Sequence, residues 1–202
     1  MAYSDFTLLK IEQQFGIKNR RVSLFSEVTA QIEPTEQLVE MLKETEELSI
    51  KSEKARSEWI VVPVLRELRK RNNKFFTIYS GDMLNADVEK GLNGECDFIL
   101  AKDTGSFDIS YPIIQMVEAK RNDIEIGVHQ CAAQLLGARI FNQTKGFELE
   151  KIYGCVTTGD EWFFMCLEKD LLIDTRKYHI RNLPELLGVL QNVVNYYKSV
   201  LN

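Results

Sequence analysis

The chain has 202 residues, of which 45% are hydrophobic and 27% are charged. This composition is typical of one globular domain that buries a full core, and it excludes a chain that is disordered as a whole. The formal net charge of −5 disfavours a protein whose main role is tight, non-specific coating of nucleic acid, although a local basic patch can still contact phosphates.

The four cysteines stand far apart without a C-x-x-C pair, and neither histidine has zinc-finger spacing. We therefore expect no disulfide framework, no structural zinc site and a reducing compartment. The segment "MAYSDFTLLKIEQQFG" lacks the basic start and apolar stretch of a secretory signal, and no run approaches the roughly 18 consecutive apolar residues of a membrane span. These features predict a soluble cytoplasmic protein with no membrane partner.

The first fifty residues are predicted to be helical. "SDFTLLKIEQQFG" (4–16) has an apolar stripe at Phe6, Leu9 and Phe15, and "PTEQLVEMLKETEEL" (34–48) begins with proline and acids, as helices do. A longer amphipathic helix is predicted over about 52–71, and Pro63 within it predicts a kink or a late restart.

Short segments rich in aromatic and β-branched residues predict five strands. They are "KFFTIYSG" (74–81), "ECDFILAK" (95–102), "YPIIQMVEAK" (111–120), "KIYGCVTTG" (151–159) and "EWFFMCLEKD" (161–170). A helix is predicted between the third and fourth, over about 123–142, and another closes the chain at "LPELLGVLQNVVNYYKSVL" (183–201). This order is typical of an α/β fold whose mixed sheet is covered by helices on at least one face.

The third of these strands carries two charges where apolar residues are expected. Because side chains alternate between faces, Glu118 and Lys120 are predicted to share a face with Ile114 and Met116, opposite to Ala119. Burial of the two charges costs several kcal/mol unless they are paired or bound to a metal. The pattern predicts either an ion pair at a strand end or a site that includes a second acid.

The segment "LNGECDFIL" (92–100) provides a second acid. Gly94 permits a tight turn, and Asp97 opens a strand on the same predicted face as Ile99 and Ala101. If this strand pairs with that of Glu118, the two carboxylates converge, and with a backbone carbonyl they form a hard oxygen site suited to Mg²⁺ or Mn²⁺. A lysine beside that site can orient or deprotonate water and stabilise charge on a phosphoryl oxygen.

The succession G-x-x-D-F, apolar strand, loop and E-A-K resembles the core of the PD-(D/E)XK nuclease superfamily. The resemblance covers about 50–170 and implies a restriction-endonuclease-like mixed β-sheet flanked by helices. It leaves residues 1–50 as an added N-terminal helical segment and 171–202 as a C-terminal helical segment of one domain over 1–202. Cys96 stands where the family's name implies a proline, which many members lack.

Three more segments are similar to parts of this superfamily. "SEKARSEWIVVPVLREL" (52–68) resembles the opening helix in the N-terminal nuclease region of type I restriction motor subunits, with Glu53 as the matching acid and Glu58 as the alternative. Gln130 and Gln134 resemble the glutamine motif that follows the catalytic lysine in several branches. "IYGCVTTGDEWFF" (152–164) resembles the strand pair that closes the fold.

The resemblance implies metal-dependent hydrolysis of phosphodiester bonds, with DNA as the favoured substrate. In this hypothesis Mg²⁺ or Mn²⁺ is held by Asp97, Glu118 and the Ala119 carbonyl with help from Glu53, Lys120 positions water, and Gln130 or Gln134 orients Lys120 or a phosphate. The alternative is a catalytically inactive subunit or interaction module of a restriction or defence assembly. Either a homodimer or a place in a larger assembly is compatible with the sequence.

Structural explanations remain open for several of these residues. Gln130 and Gln134 can be the solvent-facing stripe of their helix, and Glu53 can be an ordinary first-turn acid that the helix dipole favours. His129 and His179 receive no functional role. A basic cluster can either follow a phosphate backbone or be a solvated helix end, and it consists of Arg66, Arg69, Lys70, Arg71 and Lys74.

Overall fold

The computed structural model describes residues 2–25, 30–122 and 124–201. Within these residues, seven strands form one mixed sheet and helices cover both of its faces. The prediction of an α/β fold with a mixed sheet between helices is confirmed. None of the helices in the described part of the chain combines the length and the apolar character that crossing a membrane requires.

The strands are β1 (Asn19–Val22), β2 (Phe76–Met83), β3 (Glu95–Lys102), β4 (Ile113–Ala119), β5 (Ile152–Thr157), β6 (Glu161–Leu167) and β7 (Leu171–His179). The α-helices are α1 (Leu8–Phe15), α2 (Glu36–Glu46), α3 (Glu53–Arg56), α4 (Val62–Arg71), α5 (Ile124–Thr144) and α6 (Leu183–Val200). The strand order across the sheet is β1-β7-β6-β5-β4-β3-β2. The pairs β1–β7 and β4–β5 are parallel, and the remaining neighbours are antiparallel.

Each face of the sheet has its own hydrophobic core. One core lies beneath α5 and α1 and includes Val128, Leu135 and Ile11. The other lies beneath α2, α4 and α6 and includes Leu65 and Val193. The helix α5 is enclosed by the sheet, by α1 and by the 3₁₀ turn Tyr3–Asp5. This position explains why α5 is apolar on most of its sides.

Two of the seven strands, β1 and β7, were not predicted from the sequence. The two segments predicted as helical, 1–50 and 171–202, therefore each contain a strand, and β1 pairs with β7 along Asn19↔Leu171 to Val22↔Asp174. The polar residues Asn19, Arg20 and Arg21 gave no strand signal, since this edge strand is exposed and is defined by backbone pairing alone.

The N-terminal helix was predicted too long. Residues Tyr3–Asp5 form a 3₁₀ turn, and α1 begins only after Thr7, whose hydroxyl accepts a hydrogen bond from the Lys10 amide. Phe6 is buried, but it precedes α1 and is not part of the helix. Leu9 is 63% exposed, so the predicted apolar stripe was wrong at Leu9. The predicted start of α5 at Asp123 lies outside the described residues.

A kink or a late restart was predicted at Pro63, and the structure has a π-helical turn before it, after which α4 begins at Val62. Residues Ser57–Val61 form a π-helical turn that joins α3 to α4, and the Val62 amide donates to the Ser57 carbonyl. Pro63 has no N–H to donate to the carbonyl of Trp59 four residues earlier. That carbonyl lies 3.2 Å from the Thr45 hydroxyl of α2, whose shorter hydrogen bond, of 2.8 Å, goes to the Met41 carbonyl of α2 itself. The contact between Thr45 and Trp59 therefore connects α2 to the π-helical turn between α3 and α4.

The predicted faces of β4 need one correction. The pairing of β3 with β4 shifts between Leu100 and Ala101, so Ile113 lies in the α5-side core with Met116, and Ile114 lies in the opposite core. Ile114 was therefore wrongly predicted to share a face with Glu118. A bulge changes the face of every residue beyond it, which simple alternation cannot anticipate.

Candidate active site

The register of β3 and β4 brings the two predicted acids together. Phe98 pairs with Val117 at the end of the ladder, so Asp97 and Glu118 are the next residues of the two strands, and the Asp97 carboxylate is close enough to raise the pKa of Glu118. One carboxylate oxygen of Asp97, Oδ2, accepts a hydrogen bond of 2.8 Å from the Ala119 amide. The side chain of Asp97 thus occupies a position on the β4 backbone that a strand carbonyl would otherwise fill.

Glu118 is completely buried, and both of its oxygens have partners. Oε1 accepts from the Lys120 ammonium at 2.6 Å, and Oε2 accepts from the Gln134 amide at 2.7 Å. Gln134 is itself fully buried, and its Oε1 has no hydrogen-bond partner among the described residues. An unpartnered buried carbonyl oxygen next to two carboxylates is costly, and such an atom is a natural acceptor for a donor from a ligand or water.

The structure distinguishes between the two glutamines. Gln134 contacts Glu118, whereas Gln130, one turn nearer the start of α5, is half-buried and has no side-chain hydrogen bond within the described residues. Gln134 therefore does not belong to a solvent-facing stripe, because the helix points it into the sheet.

The two candidate helix acids also differ in position. Glu53, the first residue of α3, accepts a 3.0 Å hydrogen bond from the Arg121 amide and lies 4.0 Å from the Lys120 ammonium. Glu58 has a side chain that is 56% exposed and pairs with Lys54 in the adjacent turn. The structure thus brings Glu53 to Lys120 and leaves Glu58 on the surface.

Burial and mutual repulsion shape the protonation of the acids. Burial raises the pKa of Glu118, and the neighbouring Asp97 carboxylate raises it further. The pKa of Asp97 is also raised, chiefly by burial, although the Ala119 amide and the charge of Lys120 oppose this change. Both acids are therefore held more easily in the neutral form than exposed carboxyls are.

Lys120 shows the opposite balance. Its burial lowers its pKa, but attraction to Glu118, Glu53 and Asp97 outweighs burial, so the pKa of Lys120 lies above its usual value. In this arrangement Lys120 is an ammonium ion at neutral pH. It can donate hydrogen bonds and stabilise negative charge, but it cannot accept a proton.

Gly127 is a site residue that the sequence analysis missed. A Cβ at this position of α5 would lie 2.4 Å from Cγ1 of Val156 and 3.0 Å from Cγ of Lys120. The absence of a side chain therefore lets the helix lie directly against the Lys120 stem. A glycine inside the apolar helical segment "IEIGVHQ" was the available signal, since such a residue often marks a close approach.

The oxygen atoms of the site are suitable ligands for a hard cation, but few side chains provide them. The described residues contain no cluster of three or more His, Cys, Asp or Glu side chains arranged around one metal position. Asp97 and Glu118 supply carboxylate oxygens, and the Ala119 carbonyl faces the same side as its amide, which points at Asp97. These three groups fit Mg²⁺ or Mn²⁺, which accept oxygen ligands and retain waters.

No protein-family model matches the chain, and comparisons with curated proteins and with solved structures also find no match.

Proposed function

We propose that this protein is a metal-dependent nuclease of restriction-endonuclease-like architecture that hydrolyses phosphodiester bonds, with DNA as the substrate. The observation that carries the proposal is the fully buried Glu118 with Asp97 next to it on the neighbouring strand and Lys120 in contact with it. Two acids on neighbouring strands and one lysine two residues beyond the second acid form the arrangement that the sequence pattern predicted.

The charges of the site favour a cation as its ligand. Asp97, Glu118 and Glu53 bring three carboxylates, whereas Lys120 is the single cation that contacts them through its side chain within the described residues. Ionisation of all three acids therefore leaves net negative charge in a mostly buried site. A divalent cation compensates that charge more completely than water does.

Each residue then has a specific task. Asp97, Glu118 and the Ala119 carbonyl would hold the metal, which when bound supplies Lewis-acid polarisation of a phosphoryl oxygen and of a bound water. Lys120, held by Glu118 and Glu53, carries the positive charge that orients a water and stabilises a developing oxyanion. Gln134 orients the Glu118 carboxylate through its hydrogen bond, and Gln130, one turn earlier on α5, would contact a phosphate of the substrate.

A second candidate is a nuclease-fold subunit without turnover that serves a restriction or defence assembly. It is favoured by one observation: both oxygens of Glu118 are satisfied within the chain by Lys120 and Gln134. A buried acid whose two oxygens are both satisfied by the chain can serve the stability of the fold without binding a metal. Homodimerisation or membership of a larger assembly belongs to the same candidate.

Titration calorimetry with Mn²⁺ and Mg²⁺, combined with cleavage assays on plasmid and single-stranded DNA, separates the candidates. The samples are the unchanged protein, Asp97→Ala and the surface control Glu58→Gln. Metal binding and metal-dependent nicking that disappear in Asp97→Ala and persist in Glu58→Gln support the nuclease. Absence of both from the unchanged protein would reject it and leave the non-catalytic subunit.

A further inference from the structure

A basic cleft lies between α2 and α4, away from the candidate active site. It has a volume of about 510 Å³, and its apolar floor includes Leu38, Met41 and Pro63. Four cationic residues line it, and three of them are exposed, namely Arg66, Lys70 and Lys74, whereas Arg69 is half-buried.

Within the part of the chain that the structure describes, the three exposed cations differ from Arg69 and Arg71 in having no acidic partner. Arg69 pairs with Asp103 at 3.0 Å, and Arg71 pairs with Glu67 at 2.6 Å. Glu67 also lines the cleft, and its carboxylate accepts two more hydrogen bonds, from the amide and the hydroxyl of Thr35.

Across 2–25, 30–122 and 124–201, no carboxylate forms an ion pair with Arg66, Lys70 or Lys74. A chain with a net charge of −5 therefore keeps three unpaired positive charges on one cleft.

The backbone at the end of α4 is unusual at the same place. Asn73 and Lys74 have φ angles of 51° and 59°, the left-handed region that glycine and asparagine tolerate and lysine rarely adopts. A glycine at position 74 would relieve this strain, yet the chain has a lysine there. The conformation places a cation at the edge of the cleft, and strained residues of this kind concentrate at binding sites.

We propose that this cleft binds the phosphodiester backbone of nucleic acid without reading its sequence. Lysine and arginine side chains that lack internal partners release counterions when they contact phosphates, which favours a polyanion over a small neutral ligand. The choice of nucleic acid among polyanions rests on the function proposed above.

The test measures binding without cleavage. A short fluorescent DNA duplex is titrated in EDTA at several salt concentrations, with anisotropy as the readout. The variant Arg66→Gln/Lys70→Gln/Lys74→Gln removes the cleft charges, and the matched control Lys18→Gln/Arg20→Gln/Arg21→Gln removes three exposed cations near β1. We expect the cleft variant to bind roughly tenfold or more weakly, with a salt slope smaller by about three, and the control to bind like the unchanged protein.

A single substitution provides an independent check against misfolding. Lys74→Gly is expected to raise the midpoint of thermal unfolding by about 2–4 °C, because it relieves the left-handed backbone, while it weakens DNA binding. A stabilised protein that binds DNA less well cannot be explained by loss of structure.

Two results would overturn the proposal. One is equal DNA affinity in the cleft variant and the unchanged protein. The other is binding of heparin but not of DNA by the unchanged protein, which would assign the cleft to another polyanion. Failure of the nuclease proposal gives a different result, because the duplex would bind through the cleft in EDTA yet remain uncut when Mn²⁺ is added.

Discussion

Two carboxylates of the same sheet, Glu118 and Asp174, are both completely buried but are satisfied in different ways. Oδ1 of Asp174 accepts from the backbone amides of Leu24 and Arg176, and its Oδ2 accepts from the Tyr178 hydroxyl at 3.2 Å. Glu118 instead accepts from two side chains and has a second acid next to it on the neighbouring strand.

The contrast indicates which of the two acids is structural. The donors of Asp174 come from β7 itself and from the segment after β1, so this acid joins an edge strand to the sheet. A purely structural role does not require a like charge beside a buried acid, because repulsion raises the free energy of the folded state. Glu118 has such a neighbour in Asp97, as the proposed metal site requires.

The largest expected effect is that of Glu118→Gln on cleavage. This change removes the negative charge that the proposed metal site requires but keeps the shape of the side chain and an acceptor for Lys120. We expect metal-dependent nicking to fall by at least about 10²–10³-fold, with the fold retained. Plasmid-nicking rates and urea unfolding of the same samples measure both quantities. Loss of the fold together with the activity would contradict the distinction between the two acids.

Asp174→Ala is expected to produce the reverse result. It leaves two backbone amides and the Tyr178 hydroxyl without their acceptor, so the free energy of unfolding should fall by about 2–4 kcal/mol. At a temperature where the variant is folded, its nicking rate should equal that of the unchanged protein. A large loss of rate under those conditions would show that Asp174 is not only structural.

The pH dependence of stability provides a third comparison. Because the folded protein raises the pKa values of Asp97 and Glu118, it binds more protons than the unfolded chain above about pH 4. The free energy of unfolding without metal should therefore fall as pH rises from there through the raised values, by on the order of 1–3 kcal/mol.

Glu118→Gln should flatten this pH profile because it removes one of the two repelling groups. Urea unfolding across the pH range tests this expectation. A profile in the variant as steep as in the unchanged protein would count against repulsion between the acids.

Glycines of α5 test how closely the helix must approach the site. Gly127→Ala places a methyl group against Val156 and Lys120, so we expect a loss of about 1–3 kcal/mol in stability and a lower nicking rate in the folded protein. Gly137→Ala is the matched control, since its methyl group meets the Tyr3 ring instead. The control should lose stability but keep its rate, and equal losses of rate in both variants would assign the effect to helix packing in general.

The smallest expected effect separates Glu53 from Glu58. Glu53→Gln removes the ion pair between Glu53 and Lys120. It should lower the nicking rate by about tenfold, as changes to residues that orient catalytic groups do. Glu58→Gln, on the exposed side of the next turn, should leave the rate unchanged. Equal rates for the two variants would remove Glu53 from the site.

Local patterns in the sequence were sufficient for the centre of the sheet. The bounds predicted for β3 coincide with Glu95–Lys102, and the expectation that Asp97 and Glu118 converge follows from strand alternation and the pairing of two neighbouring strands. Both depend on interactions close in sequence. The polar edge strand β1 was not predictable, because its pairing with β7 is formed by residues about 150 positions apart.

The sequence by itself therefore determined the fold class, the central strands and the pair of acids with their lysine. Only the tertiary structure decided that Gln134 rather than Gln130 contacts Glu118, that Glu53 rather than Glu58 approaches Lys120, and that Gly127 adjoins the lysine stem. The periodicity of a helix relates its residues to one another but not to the sheet. The rotation at which α3 and α5 meet the sheet is set by packing against distant residues, and that rotation selects the side chains that reach the site.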